Sequence, residues 1–175
     1  MQASDTAELF FDGVRVPADQ LLGEVEGKGF GQLMGALPYE RMLIAVPAAA
    51  TIEQALAVTV EYTKQRKAFG APLFDMQLTR QKLAEVATTA HVVRSFVNDC
   101  TQRLLDGTLD NEAAYMAKWW CSEQQCRVVD ECLQLFGGYG YMAEYPIARM
   151  YAASRVQKIY GGANEVLKDL VSRKL

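Results

Sequence analysis

A carboxylate and a guanidinium stand side by side at Glu40-Arg41, two residues after Pro38 and inside an otherwise apolar stretch. A carboxylate near a buried surface has its pKa raised by desolvation, while an adjacent arginine favours the charged form. Together these suit a general base; the alternative is a solvent-facing pair on an amphipathic helix. Arg66 and Phe69 stand where the apolar stretch ends. The fixed donor fork of an arginine suits phosphate, and an aromatic beside it can pack on a ring. The alternative is a cation that complements the C-terminal end of a helix dipole. Gly137-Gly138-Tyr139-Gly140 can let backbone approach an anion or ring closely, but it lacks the strand-before, helix-after setting of a dinucleotide loop. Tyr160-Gly161-Gly162 precedes a helix start, where free N–H groups can hold a polar oxygen. For both glycine runs the alternative is a tight turn between helices.

The elements that must position these residues are helices. Phe30, Leu33, Met34, Leu37, Ile44, Ala48, Ile52, Leu56 and Thr59 keep helical spacing and form one long apolar stripe. Pro38 and Pro47 lie inside it and each tends to kink a helix. The pattern predicts a second helix from about Met76 to Leu105, with Leu83, Val86, Ala90, Val93, Val97 and Leu104 on one face. A third runs from about Asn111 to Leu135, a shorter one follows Pro146, and a last one carries Val166, Leu167 and Leu170. Upstream, Leu9, Phe10, Phe11, Val14 and Val16 read as a strand ended by Pro17. A lone strand cannot stand in water, so it looks like the tail of a β-rich domain that is mostly missing. The expected fold is all-α: an up-and-down bundle of four to five helices over 28–175. Residues 1–27 precede it as a short β remnant of a missing middle domain and a linker.

Composition narrows the function classes. Half of the 175 residues are apolar, enough for a globular core. A formal charge of −3 argues against nucleic acid as a partner, since phosphate binding needs a basic field. There is no run of about 18 apolar residues, so no membrane span is expected. The acidic start, with Asp5 and Glu8, does not resemble a signal peptide, and the terminal Arg-Lys-Leu misses the peroxisomal Ser-Lys-Leu. The expected location is cytoplasmic, or the mitochondrial matrix if the source is eukaryotic. Cys100, Cys121, Cys126 and Cys132 lack zinc-pair spacing and read as buried reduced thiols. His91 is the lone histidine, read as structural. With Thr88 three residues before it, it cannot supply the Glu-x-x-His of a di-iron bundle. No metal is expected.

Five segments, in order, resemble the acyl-CoA dehydrogenase family across essentially the whole chain. Phe11-Asp12-Gly13-Val14-Arg15-Val16-Pro17 with Leu22-Gly23 is similar to the last strand of that family's middle domain. Glu40-Arg41-Met42 is similar to its Glu-Arg-Leu segment. Arg66-Lys67-Ala68-Phe69-Gly70 with Gln77, Gln134 through Tyr141, and Ile159-Tyr160-Gly161-Gly162-Ala163-Asn164-Glu165 resemble its three flavin-associated signatures. The resemblance implies FAD as cofactor, a homotetramer, α,β-dehydrogenation of a fatty acyl-CoA, and an electron-transfer flavoprotein as acceptor. It implies that Arg66, Phe69, Gln77, Gln134, Leu135, Phe136, Gly137 and Gly138 contact FAD, in part that of a neighbouring subunit. Ala163, Asn164 and Glu165 would flank the cofactor near the final helix. Pro38, Tyr39, Arg41, Tyr160, Gly161 and Gly162 would line the substrate site.

The resemblance also implies where the base is. Many members carry the catalytic glutamate where this chain has Gly161; the long-chain and isovaleryl branches carry it on the long helix, where Glu40 stands. One carboxylate suffices, because two facing one α-carbon would disturb each other's titration. The wording of the segments is closest to the long-chain branch. Two departures stand out: Ala163 replaces a usual Thr or Ser, and Ala152-Ala153-Ser154-Arg155 lacks the family's acidic residue. A non-catalytic oligomerisation or partner subunit, and an acyl-CoA oxidase on the same scaffold, remain the alternatives.

Overall fold

The computed structural model of the chain describes residues 6–175; residues 1–5, Asp5 among them, lie outside it. Among the described residues five helices form: α1 (Gly29–Gln65), α2 (Gln77–Leu105), α3 (Asn111–Phe136), α4 (Pro146–Ser154) and α5 (Asn164–Ser172). A two-residue antiparallel pair, β1 (Lys67–Ala68) and β2 (Ala71–Pro72), joins α1 to α2, with Lys67 opposite Pro72. The all-α expectation holds, and the bounds of α2 to α5 follow the sequence punctuation closely. Pro146 occupies the first turn of α4, where its missing N–H costs nothing.

The chain divides into two compact units, up to Leu37 and from Pro38 on. In the first, Leu9, Phe10, Phe11, Val14 and Val16 are exposed and form no strand. Strand propensity expresses itself only where another strand supplies ladder partners, and no such strand lies among the described residues of this unit. Phe30, Leu33 and Met34 are exposed as well, so the apolar stripe of α1 is not covered at its N-terminal end.

In the second unit the core is built around α3. Ala113, Ala117, Cys121, Val128, Val129 and Cys132 face Met42, Ala45, Ala48, Ala49, Ile52 and Ala55 of α1 and Val86, Ala90, Val93, Val97 and Cys100 of α2 in one cluster. The small residues on α1 and α3 let helices of this length approach closely. α1 continues through both Pro38 and Pro47. Thr59 and Thr63 are fully buried, their hydroxyls donating to the Ala55 and Thr59 carbonyls at 2.6 and 2.9 Å, which satisfies them without a neighbour. Among the described residues, α1 is long and apolar enough to cross a membrane, although it holds no unbroken run of about 18 apolar residues. One face of α1 is the bundle core and includes buried Arg41, Thr59 and Thr63, which gives a membrane span no support. The four cysteines are free thiols, three of them buried and Cys126 partly so. His91 stands exposed on α2 instead of serving the core. Among the described residues no cluster of His, Cys, Asp or Glu could hold a metal ion.

Asp110 caps α3: its carboxylate accepts from the Ala113 N–H at 2.7 Å and pairs with Arg103 at 2.7 Å. The hydrogen bond from Ala113, then the pairing with Arg103, holds the Asp110 carboxyl below its ordinary range. Its stabilisation is therefore present above about pH 4 and lost as pH falls through the depressed folded value. Asp110→Ala should cost about 1 kcal/mol at neutral pH, and urea denaturation should show the gap to the parent protein closing below about pH 4.

Candidate active site

Glu40 and Arg41 turn to different faces of α1, since successive helical residues are about 100° apart. Arg41 is 6% exposed. Glu40 is exposed and forms no hydrogen bond or ion pair among the described residues. The expected side-by-side ion pair is therefore absent, and burial within this unit does not desolvate Glu40. Tyr39 is half-exposed beside it and Pro38 is partly buried. The Arg41 guanidinium lies 4.6 Å from the ring centre of Tyr115 on α3, a cation–π contact. Its Nε has no hydrogen-bond partner, and no carboxylate pairs with it among the described residues.

The Tyr160-Gly161-Gly162 turn packs on this part of α1. Gly161 and Gly162 have φ +65 and +95, which glycine adopts without a Cβ penalty. A Cβ on Gly161 would lie 2.3 Å from Cδ1 of Ile44, and one on Gly162 would lie 3.8 Å from Nη2 of Arg41. Ile44 is one helical turn after Glu40, so the turn sits beside the candidate base, and a side chain at 161 would have to push the Ile44 tip aside and adopt a strained positive φ. Tyr160 is 41% exposed at its entrance.

Beneath the turn lies a residue that the sequence reading missed. Lys118 of α3 is fully buried, and its Nζ donates to the Gly162 carbonyl at 2.6 Å and to Asn164 Oδ1 at 2.8 Å. Asn164, also fully buried, donates through Nδ2 to Ser122 Oγ at 3.0 Å and to the Trp119 carbonyl at 3.2 Å. Burial, and then the charge of Arg41, pull the Lys118 ammonium down to about 8, with Glu165 opposing them. The available signal was a cation in register with buried Ala114 and Cys121 on α3. Ala163, partly buried, is the N-cap of α5, and Glu165 is exposed in the first turn.

The other predicted residues gather elsewhere. The Arg66 N–H donates to the Tyr62 carbonyl and its own carbonyl accepts from Leu73, both at 2.8 Å. Its exposed guanidinium is 5.5 Å from the Tyr139 ring centre. The hairpin presents Phe69 at its tip, 98% exposed with φ +52. A groove of about 770 Å³ is lined by Arg66, Ala68, Gln134, Leu135, Gly138 and Tyr139, among others. Its floor is Phe136, stacked on Tyr62 at 4.1 Å, whose hydroxyl donates to the Phe136 carbonyl at 3.2 Å. Gly137 and Gly138 are exposed, and a Cβ on either would meet nothing within 4 Å, so their bare backbone faces open space. Gly140 differs: a Cβ there would lie 2.6 Å from the Leu133 carbonyl oxygen, so this glycine serves packing. Gln77 is exposed at the first position of α2, outside the groove. Glu40 and Gln65 are separated by roughly 38 Å along α1 at ~1.5 Å per residue. The two clusters thus lie far apart along one helix.

Residues 27–175 match the model of the acyl-CoA dehydrogenase C-terminal domain. The mitochondrial long-chain specific acyl-CoA dehydrogenase of Mus musculus is 52% identical over all of this chain, which spans 40% of that protein. The short-chain specific enzyme of Megasphaera elsdenii is 41% identical over 95% of the chain and 43% of its own length. The crystal structure of an acyl-CoA dehydrogenase from Geobacillus kaustophilus superposes with a TM-score of 0.90 at 42% identity, covering 94% of this chain and 43% of that one. The chain therefore spans less than half the length of these relatives. With its domain model, its sequence relatives and its helical bundle in agreement, the chain belongs to the acyl-CoA dehydrogenase family.

Proposed function

We propose that this chain is the C-terminal part of an FAD-dependent enzyme that converts a fatty acyl-CoA to its trans-2-enoyl-CoA, with Glu40 as the base. The observation that carries the reading is that the turn packed on Ile44 has a glycine with positive φ at 161, one helical turn from an exposed Glu40 whose side chain has no partner among the described residues. Gly161 carries no carboxylate and its φ of +65 disfavours a side chain, so on this reading the helix supplies the base. Identity with a long-chain specific relative supports a long acyl chain as the substrate. Residues 1–27 are, on this reading, the end of the preceding β-domain.

Pro38, Tyr39, Arg41, Tyr160, Gly161 and Gly162 hold the reacting end of the acyl chain. Glu40 accepts the α-proton on a carboxylate oxygen, and backbone N–H groups of the 160–163 turn hold the thioester oxygen as it gains enolate character. Buried Arg41 and Lys118 make this region electropositive, which favours negative charge there.

The residues present fit a flavin. The open backbone at Gly137 and Gly138 would admit a ligand edge where any side chain would intrude into the groove, and the exposed Arg66 fork suits phosphate. Arg66, Phe69, Gln77 and Gln134 through Gly138 would hold it near the C-terminal end of α1, and Ala163, Asn164 and Glu165 beside the Arg41–Ile44 part. When bound, FAD supplies the acceptor for the β-hydride. The roughly 38 Å between the two clusters along α1 supports their serving different cofactors in a homotetramer, and the projecting Phe69 supports contact beyond its own chain. An electron-transfer flavoprotein is the proposed acceptor of the electrons.

The test is the visible spectrum of the purified protein with FAD, before and after anaerobic addition of a long-chain acyl-CoA. Retained flavin absorbance that bleaches on addition is the expected result. Retained flavin that stays oxidised would overturn the assignment of the reaction.

A further inference from the structure

The 160–163 turn needs an anchor. Two successive glycines with positive φ have more conformational freedom than any other residue pair. One ammonium brackets the turn from inside: Lys118 Nζ holds the Gly162 carbonyl on one side of Ala163 and the Asn164 side chain on the other. Asn164 is itself tied back to Ser122 and Trp119 on the same helix as Lys118. The peptide between Gly162 and Ala163 is trans, so its C=O and N–H point in opposite directions. Drawing the carbonyl inward to Lys118 therefore presents the Ala163 N–H outward.

A buried lysine facing Arg41 is an expensive way to fill this space. An apolar residue of similar size would pack without desolvating a charge, but it would release the Gly162 carbonyl. We propose that Lys118 is a positioning residue: it fixes the peptide planes of the 160–163 turn and so aims the N–H groups that receive the thioester oxygen. The inference rests on the function proposed above for the turn.

Lys118→Met tests it by two routes. In ¹⁵N-labelled protein, backbone order parameters at Gly161, Gly162 and Ala163 should fall from about 0.85 to below about 0.6, while those at Val128 and Val129 in the core stay unchanged. In the FAD-loaded protein with hexadecanoyl-CoA, kcat should fall at least about tenfold with KM within about threefold, the signature of a contact made in the transition state. In a Glu40→Gln background, which holds substrate without turnover, the infrared shift of the bound thioester carbonyl should be lost with Lys118→Met. Unchanged order parameters at the turn, or kcat and KM moving together with the carbonyl shift retained, would overturn the proposal. If order falls throughout the bundle, Lys118→Leu, apolar and unable to donate, is judged by the same criteria. If the parent protein does not reduce flavin, the proposed reaction fails, and the order parameters alone decide the role of Lys118.

Discussion

Glu40→Gln should reduce the rate of flavin reduction by acyl-CoA by about 10²- to 10⁴-fold or more, the usual contribution of a general base. That corresponds to about 3–5 kcal/mol of transition-state stabilisation. The change swaps a carboxylate for an amide of nearly the same shape, so the pocket keeps its form and substrate binding should be largely retained. Glu40 is exposed and forms no ion pair or hydrogen bond among the described residues, so losing its charge should change folding stability by no more than about 0.5 kcal/mol. Binding, folding and chemistry are thus separable in one variant. Stopped-flow reduction of the flavin, beside a denaturation curve, checks all three. Reduction at the parent rate would move the base to another residue.

Gly140→Ala should destabilise the protein by about 1–3 kcal/mol, the cost of overpacking a closed site. The added Cβ would sit 2.6 Å from a backbone oxygen, that of Leu133, and about as near as contact allows to Leu133 Cγ and Phe136 Cβ, both at 3.0 Å. Backbone cannot swing aside as a side-chain tip can, so the 3-10 turn Gly137–Tyr141 must shift as a whole. That shift would carry Tyr139 and the open Gly137-Gly138 backbone with it, and flavin affinity should drop along with stability. Gly138→Ala is the matched control: nothing lies within 4 Å of its Cβ, and its stability change should stay within about 0.5 kcal/mol. Thermal melts of the two variants separate the roles. Equal losses would mean that Leu133 yields and that Gly140 is not a packing requirement.

Helices were legible where the chain carries its own punctuation. Asp110 before α3, Gly107 after α2 and Pro146 at α4 act locally, through caps, positive φ and a missing donor, and need no distant partner to be read. The stripe on α1 was legible as a pattern but not as burial. Periodicity tells which face is apolar, while Phe30 and Leu33 show that it does not tell what covers that face. The strand-like segment from Leu9 to Val16 is the same lesson for sheets, because its pairing partners must come from elsewhere.

The candidate site divides along the same line. The nearness of Glu40 to Gly161 rests on the 160–163 turn folding back onto Ile44, a contact between segments more than a hundred residues apart that no local spacing records. Lys118 was overlooked for that reason: a lysine amid apolar residues becomes meaningful only once the carbonyl of Gly162 and the amide of Asn164 are seen to converge on it. Adjacency in sequence also misled, since Glu40 and Arg41 read as a pair and stand on different faces of one helix.

The buried thiols have a use outside catalysis. Burial raises the pKa of Cys100, Cys121 and Cys132, to about 12 at Cys121, so the folded protein offers almost no thiolate at these positions at neutral pH. Cys100 comes from α2 and the other two from α3. An alkylating reagent can reach them only when the helices part, so its reaction with the native protein is a clock for how often the bundle breathes.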